Sequence, residues 1–256
     1  MTIDITRPHV GRIYDYVLGG SQNYEADRRA AEAIIEVLPA YPRWARLNRT
    51  FLGHVGARWA AEGVTQVLDL GSGLPTQGHF NVRMPSAKVL FADFDPLTVA
   101  QGQQLLAYTP DMAFAHVDMR NPDALLEQAT SFFGADQRLA VGLIGIVYML
   151  SDSEIRTLAQ RLHAFCAPGS VMALSFHHVP DGPDAEAIRD ALFTAAKHAR
   201  VNYYLRSPEQ MAELLAPWRT VITQPLQYWV DDEETLPLRP DDLMSRMTML
   251  GSFAER

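Results

Sequence analysis

Residues 63–256 predict a doubly wound, mostly parallel α/β sheet, preceded by a helical extension over residues 1–62. Three observations carry this prediction. Short apolar runs alternate with stretches of helical period, which is the pattern of strands joined by crossover helices. The first run ends in an acidic residue and a Gly-x-Gly turn, as a strand-to-helix ligand loop does. Two amphipathic helical patterns stand before that run.

In chain order, the first 24 residues read as a tyrosine-rich segment (Tyr14, Tyr16, Tyr24) broken at Gly19-Gly20. A helix is predicted over 26–38, with Ala30, Ala33, Ile34 and Val37 on one face and Pro39 ending it. A second spans 42–62, where Leu47, Phe51, Val55 and Trp59 recur near helical spacing and Gly63 supplies the stop. The apolar runs then fall at 64–71, 87–93, 113–118, 138–150 and 170–178, with helices between them at 97–107, 121–133 and 152–166. Two more helices are predicted at 184–200 and 207–216, followed by a strand pair over 218–230 interrupted at Pro225. No internal repeat, low-complexity tract or Gly/Ser linker divides the chain.

The 256 residues carry 22 Lys and Arg against 30 Asp and Glu, a formal net charge of −8, with 48% apolar and 20% charged residues. That balance suits a soluble globular protein, and an acidic chain lacks the footprint of a nucleic-acid binder. The longest apolar stretch, Leu139 to Leu150, has 12 residues, too short to cross a bilayer. The start, MTIDITRPHV, has no secretion-signal pattern, and the lone Cys166 forms no internal disulfide and supports no Cys-based zinc site. The expected compartment is the cytoplasm. The scattered histidines form no metal-ligand pattern, so no metal is expected.

The motif VLDLGSG (67–73) lets the main chain approach a ligand closely at Gly71 and Gly73. The plain alternative is an ordinary tight turn. Later acids add to the signal. FADFDP places Asp93 or Asp95 about two dozen residues after Asp69, where a carboxylate can accept two ribose hydroxyls. HVDMR places Asp118 where it can accept an exocyclic amine, with the Met119 N–H beside it for a ring nitrogen. Each acid has a bland reading as a solvated loop residue or helix cap, and Asp95 before Pro96 suits an N-cap. Thr76 breaks the dinucleotide pattern G-x-G-x-x-G, which argues against a pyrophosphate on this loop. Three acids at successive strand ends point to a phosphate-free, positively charged adenosine ligand.

These residues resemble the class I S-adenosylmethionine-dependent methyltransferases. More narrowly, the chain resembles a bacterial family, long of unknown function, assigned as S-adenosyl methyltransferases. The resemblance rests on RPHVGRIYDYVLGGSQNYEADRRAAE (7–32), LNRTFL (47–52), VLDLGSGLPTQG (67–78), FADFDP (91–96), HVDMRNP (116–122), APGSVMALS (167–175) and LRSPEQM (205–211). It implies a Rossmann-like, seven-stranded methyltransferase sheet with S-adenosylmethionine at the strand carboxyl ends. It would set Asp69, Gly71 and Gly73 around the methionine portion, Asp93 on the ribose, and Asp118 with Met119 at adenine. The chain departs from the family in a shorter segment after Gln77-Gly78, in Tyr148 where a His is usual, and in its tail.

For chemistry, Tyr148 is expected to hold the sulfonium by cation–π attraction or to orient an acceptor, and His177 stands where a general base can sit. Tyr14, Tyr16, Asn23 and Tyr24 flank the Gly-Gly pair. They suit either a lid that closes over the cofactor, with Tyr14 catalytic and Asn23 at the cofactor, or an anchor for the extension. Tyr203, Tyr204 and Trp229 read as apolar walls or core, and the DDEE run at 231–234 as a solvated loop. Three functions follow: methyl transfer to a small-molecule O- or N-nucleophile, of the kind found in bacterial secondary metabolism; a lyase or cyclase that releases methylthioadenosine by intramolecular attack; or a non-catalytic S-adenosylmethionine-binding protein. The partner is a small molecule, with no nucleic acid or membrane, and the oligomeric state is open.

Overall fold

The computed structural model describes residues 4–74, 78–135, 137–229 and 248–256. Three helices come first: α1 (Val10–Val17), α2 (Glu25–Val37) and α3 (Tyr41–Ala61). There follow β1 (Gln66–Leu70), α4 (Phe80–Arg83), β2 (Lys88–Asp93), α5 (Pro96–Leu105), β3 (Met112–His116), α6 (Pro122–Phe133) and β4 (Ala140–Leu143). The chain continues with α7 (Asp152–Phe165), β5 (Val171–His178), α8 (Ala185–Ala199), α9 (Pro208–Leu215), β6 (Arg219–Pro225) and β7 (Thr248–Glu255).

The seven strands lie in the order β3-β2-β1-β4-β5-β7-β6. The first five are parallel, and β7 inserts antiparallel between β5 and β6. Sheet order reverses between β1 and β4, so the crevice for a ligand opens at the carboxyl ends of those strands. Strand residues alternate between two apolar layers: Val67, Val89 and Phe91 face one, Leu68, Leu90 and Ala92 the other. The first layer also takes Ile13, Ile34, Trp44, Phe51 and Trp59, so the N-terminal helices share a core with the sheet.

Capping chemistry sets several helix starts. Ser151 and Glu154 form a reciprocal cap on α7, and Ser207 and Gln210 one on α9. Asp95 caps α5, its Oδ2 accepting the Thr98 N–H at 3.0 Å, which leaves Asp93 as the acid at the end of β2.

Three expected elements differ. The run 138–150 is strand only over Ala140–Leu143; Gly145 at φ +76° then turns the chain away into a 3-10 turn at Val147–Met149. The expected pair at 218–230 is one strand, β6, followed by a 3-10 turn at Leu226–Tyr228; its partner is β7, at 248–255. The tyrosine-rich segment contains helix α1, too short to announce itself by periodicity. The acidic run 231–234 and Thr76 lie outside the described residues.

Candidate functional site

After β1 the chain turns sharply. Gly71 and Gly73 take φ of +63° and +60°, a region in which side chains are strained. A Cβ on Gly71 would stand 2.7 Å from Ile146 Cγ1 and 3.0 Å from Met119 Cε. The turn is held from two sides. Asp93 Oδ2 accepts the Gly73 N–H at 3.0 Å, and Oδ1 accepts the Asp95 N–H at 2.9 Å. Burial raises the Asp93 pKa, and these two N–H bonds oppose the shift. From below, buried His79 accepts the Phe80 N–H on Nδ1, so Nε2 carries the proton and donates to Ser72 O at 3.2 Å. Burial drives its pKa down to about 3, which keeps the ring neutral.

At the end of β3, half-buried Asp118 is clasped by Arg120 at 2.6–2.9 Å. Burial acts to raise its pKa, but the hydrogen bonds and charge of Arg120 together leave it lowered.

The N-terminal helices cover these strand ends. Asp27, fully buried, accepts from Arg12 Nε, the His9 N–H and the Tyr24 N–H at 2.8–2.9 Å, tying α1 to α2. A second chain of hydrogen bonds ties α1 and α3 to the sheet. The Gly145 N–H donates to Ser175 Oγ (2.8 Å), Ser175 to Asn48 Oδ1 (2.6 Å), Asn48 Nδ2 to the Tyr14 hydroxyl (3.3 Å), and Tyr14 to Ala45 O (2.8 Å). Beside it Arg49 lies over the Tyr14 ring at 5.5 Å, with Nε and Nη1 buried and without a hydrogen-bond partner among the described residues.

One cavity joins these parts. Gly71, Gly73, Asp93, Asp118, Met119 and Arg49 line it at the strand ends. It runs on beneath α2, α3 and α8 into an aromatic chamber, with an empty volume of about 1520 Å³ including its open mouth. There the ring centroids of Tyr148, Trp44 and Tyr203 lie 4.7, 5.9 and 5.7 Å from that of His177. His177 Nδ1 is hydrogen-bonded to the Tyr203 hydroxyl, and its Nε2 is buried without a partner. Burial alone depresses its pKa to about 3, and burial together with the neighbouring tyrosines raises those of Tyr148 and Tyr203, so all three stay neutral.

The sequence profile of a family described as S-adenosyl methyltransferase matches residues 1–245. The chain belongs to the S-adenosyl methyltransferase family. Among solved structures it is similar to a Thermobifida fusca protein described as a candidate methyltransferase (TM-score 0.85, 26% identity, 99% of this chain and 96% of that one). It is also similar to a DUF574 family protein from Streptomyces avermitilis (TM-score 0.84, 27% identity, all of both chains). The fold alone extends to magnesium protoporphyrin IX methyltransferase of Synechocystis, whose structure holds S-adenosylmethionine (TM-score 0.54, 13% identity, 95% of this chain and 89% of that one). No curated protein matches the sequence.

This S-adenosyl methyltransferase uses S-adenosylmethionine, and the cavity's chemistry fits that cofactor: glycines where a ligand can approach closely, two carboxylates, and a guanidinium with two nitrogens unpaired among the described residues. Of the residues singled out from sequence, the cavity brings together Gly71, Gly73, Asp93, Asp118, Met119, Tyr14, Tyr148 and His177. Two expected residues lie elsewhere. Asp69 is off the wall, 2% exposed, its Oδ2 3.5 Å from His79 Nε2; burial pushes its pKa well up. Asn23 instead braces the Gly19-Gly20 turn by donating to Asp15 Oδ2 and Gly20 O, because its side chain is turned into its own loop. Sequence reasoning missed Arg49, Asn48, Ser175, His79 and Trp44. One signal was present: Trp44, Asn48, Leu52, Val55 and Trp59 make a buried stripe on α3, and a polar residue inside such a stripe marks a paired or functional group. Among the described residues no group of three or more His, Cys, Asp or Glu is placed to hold a metal ion, and no helix is long and apolar enough to cross a membrane.

Proposed function

We propose that the protein transfers the methyl group of S-adenosylmethionine to an O- or N-nucleophile of a small molecule. The observation that carries this reading is one continuous cavity lined both by the glycine turn with the strand-end acids and by a cluster of aromatic rings. The loop end offers groups for the cofactor, and the aromatic chamber beyond it is space for a second molecule. An intramolecular lyase or cyclase has no use for that second chamber.

On this reading Gly71 and Gly73 admit the amino-acid arm of the cofactor, and Arg49 pairs with its carboxylate. Asp93 accepts the ribose hydroxyls, while Asp118 and the Met119 backbone meet adenine, with Asp118 exchanging part of its hold on Arg120. Asp69 acts from beneath as a positioning residue, through His79 and the loop. Helices α1–α3 form a fixed roof over the site: Asp27 and the Asn48 chain use the hydrogen-bonding groups that a mobile lid would have to release. Tyr14 is then a wall residue and not a proton carrier, since its hydroxyl already donates to Ala45 O.

The bound cofactor supplies an activated methyl group on sulfur. The chain supplies proximity and a dry, neutral chamber in which an acceptor can be aligned with it. His177, held neutral, can take a hydrogen bond from an acceptor at Nε2, and the Tyr148 face supplies cation–π attraction for a sulfonium. The test is to incubate the protein with S-adenosylmethionine, with and without a pool of small nucleophiles, and to identify the sulfur nucleoside by mass spectrometry. S-adenosylhomocysteine that forms only with the pool supports methyl transfer. Methylthioadenosine without acceptor, above a no-enzyme control, would overturn it.

A further inference from the structure

The two halves of the cavity differ in charge. Arg49 belongs to the loop end: its charge acts on Asp69 and His79 beneath the glycine turn. Around His177 the walls come from Trp44 on α3, Tyr148 on the 3-10 turn, Leu192, Ala196 and Ala199 on α8, and Tyr203 beyond it. No charged side chain perturbs His177, whose pKa is moved by burial alone. An anionic group brought here loses its water and faces aromatic rings that offer it no counter-charge, a costly transfer.

The chamber nonetheless holds one polar atom that protein leaves unanswered. His177 is 7% exposed, its Nδ1 is taken by Tyr203, and its Nε2 has no partner among the described residues. Such an atom is expensive to leave unpaired, and a bound group that pairs with it recovers that cost. A hydroxyl both donates and accepts, so it answers either tautomer of the ring. The His177 and Tyr203 rings lie within 21° of parallel, with Tyr148 tilted 36° to His177, and Ala195, Ala196 and Ala199 of α8 line the same cavity. Such walls favour a flat π-system, stacked or edge-on.

Resting on the methyl-transfer reading, we infer that the chamber takes a planar aromatic acceptor that bears a hydroxyl and no anionic group, lying against the aromatic walls and hydrogen-bonded through that hydroxyl to His177 Nε2. Tyr203 is a positioning residue, fixing the imidazole through Nδ1.

The test is calorimetric titration with 2-naphthol, 2-naphthoate and naphthalene, with and without saturating S-adenosylhomocysteine. 2-Naphthol is expected to bind at least tenfold more tightly than either of the others. His177→Phe should reduce 2-naphthol to the affinity of naphthalene while leaving the S-adenosylhomocysteine affinity within twofold, and His177→Gln, which keeps a polar group, should restore part of the preference. Tighter binding of 2-naphthoate, no binding of any of the three, or an intact 2-naphthol advantage in His177→Phe would overturn the inference. Failure of S-adenosylhomocysteine to bind, with the 2-naphthol preference kept, would instead overturn the cofactor reading and leave the chamber assignment standing.

Discussion

Gly71 is where the cost of a single methyl group is most directly readable. Its φ of +63° already disfavours a side chain, and Ile146 Cγ1 stands 2.7 Å from where the Cβ would go. Gly71→Ala should lower stability by about 1–3 kcal/mol. Gly73, at φ +60° with nothing within 4 Å of its Cβ position, should lose less on the same change; thermal unfolding of the two variants checks the order. Arg49 presents the opposite case, a buried guanidinium with Nε and Nη1 unpaired among the described residues. Arg49→Met should weaken S-adenosylhomocysteine binding by roughly 1.5–3 kcal/mol, measured by calorimetry. His177 predicts a pH dependence. Its pKa is about 3 in the folded protein against 6.5 when exposed, so the unfolded chain binds a proton that the folded protein refuses. The stability it contributes is complete above pH 6.5 and is lost as pH falls towards 3. Asp69 and Asp93, with raised pKa values, act in the other direction, so the difference between wild type and His177→Phe isolates the histidine. Between pH 6.5 and 5 that variant should lose stability less steeply, by about 1 kcal/mol per pH unit, in denaturant titrations.

The elements that decide the site are the helices before the sheet. Arg12 and Asp27 are both buried, 4% and 0% exposed, and Asp27 also holds two backbone N–H groups. Removing one partner strands the other, so Asp27→Asn should cost about 3–5 kcal/mol and lower the melting temperature by roughly 6–20 °C. A freely hinged lid would show little change. Sequence patterning located α2 and α3 to within a residue or two, because their apolar faces repeat at helical spacing and Pro39 and Gly63 mark their ends. It missed β7, whose TMLGSFAE mixes small and polar residues. That strand is buried on both faces between β5 and β6, so neither alternation nor a strong apolar run is required of it. The run 138–150 reads as longer strand than it forms because apolar residues that line a cavity look the same as residues that fill a sheet.

At the scale of the whole molecule, the parallel sheet and its ligand edge were legible because each strand end carries its own mark: Gly71 and Gly73 after β1, Asp93 at β2, Asp118 after β3. Each sits beside the strand that positions it, so a local reading suffices. Arg49 and Ser175 could not be found that way, and the buried stripe on α3 marks Asn48 without naming its partner, since their meaning arises from contacts such as Ser175 with Asn48, 127 residues apart in sequence. Asp69 departs from its expected role for a spatial reason too: adjacent to the loop in sequence, it is directed beneath it in space. A cofactor lying along the ends of β1, β2 and β3 is tested by calorimetric titration of S-adenosylhomocysteine into wild-type protein and Asp93→Ala. Loss of the ribose contacts, together with the Gly73 N–H that Asp93 holds, should weaken binding by about 2–4 kcal/mol, roughly thirtyfold or more. Equal affinity in the two proteins would contradict it.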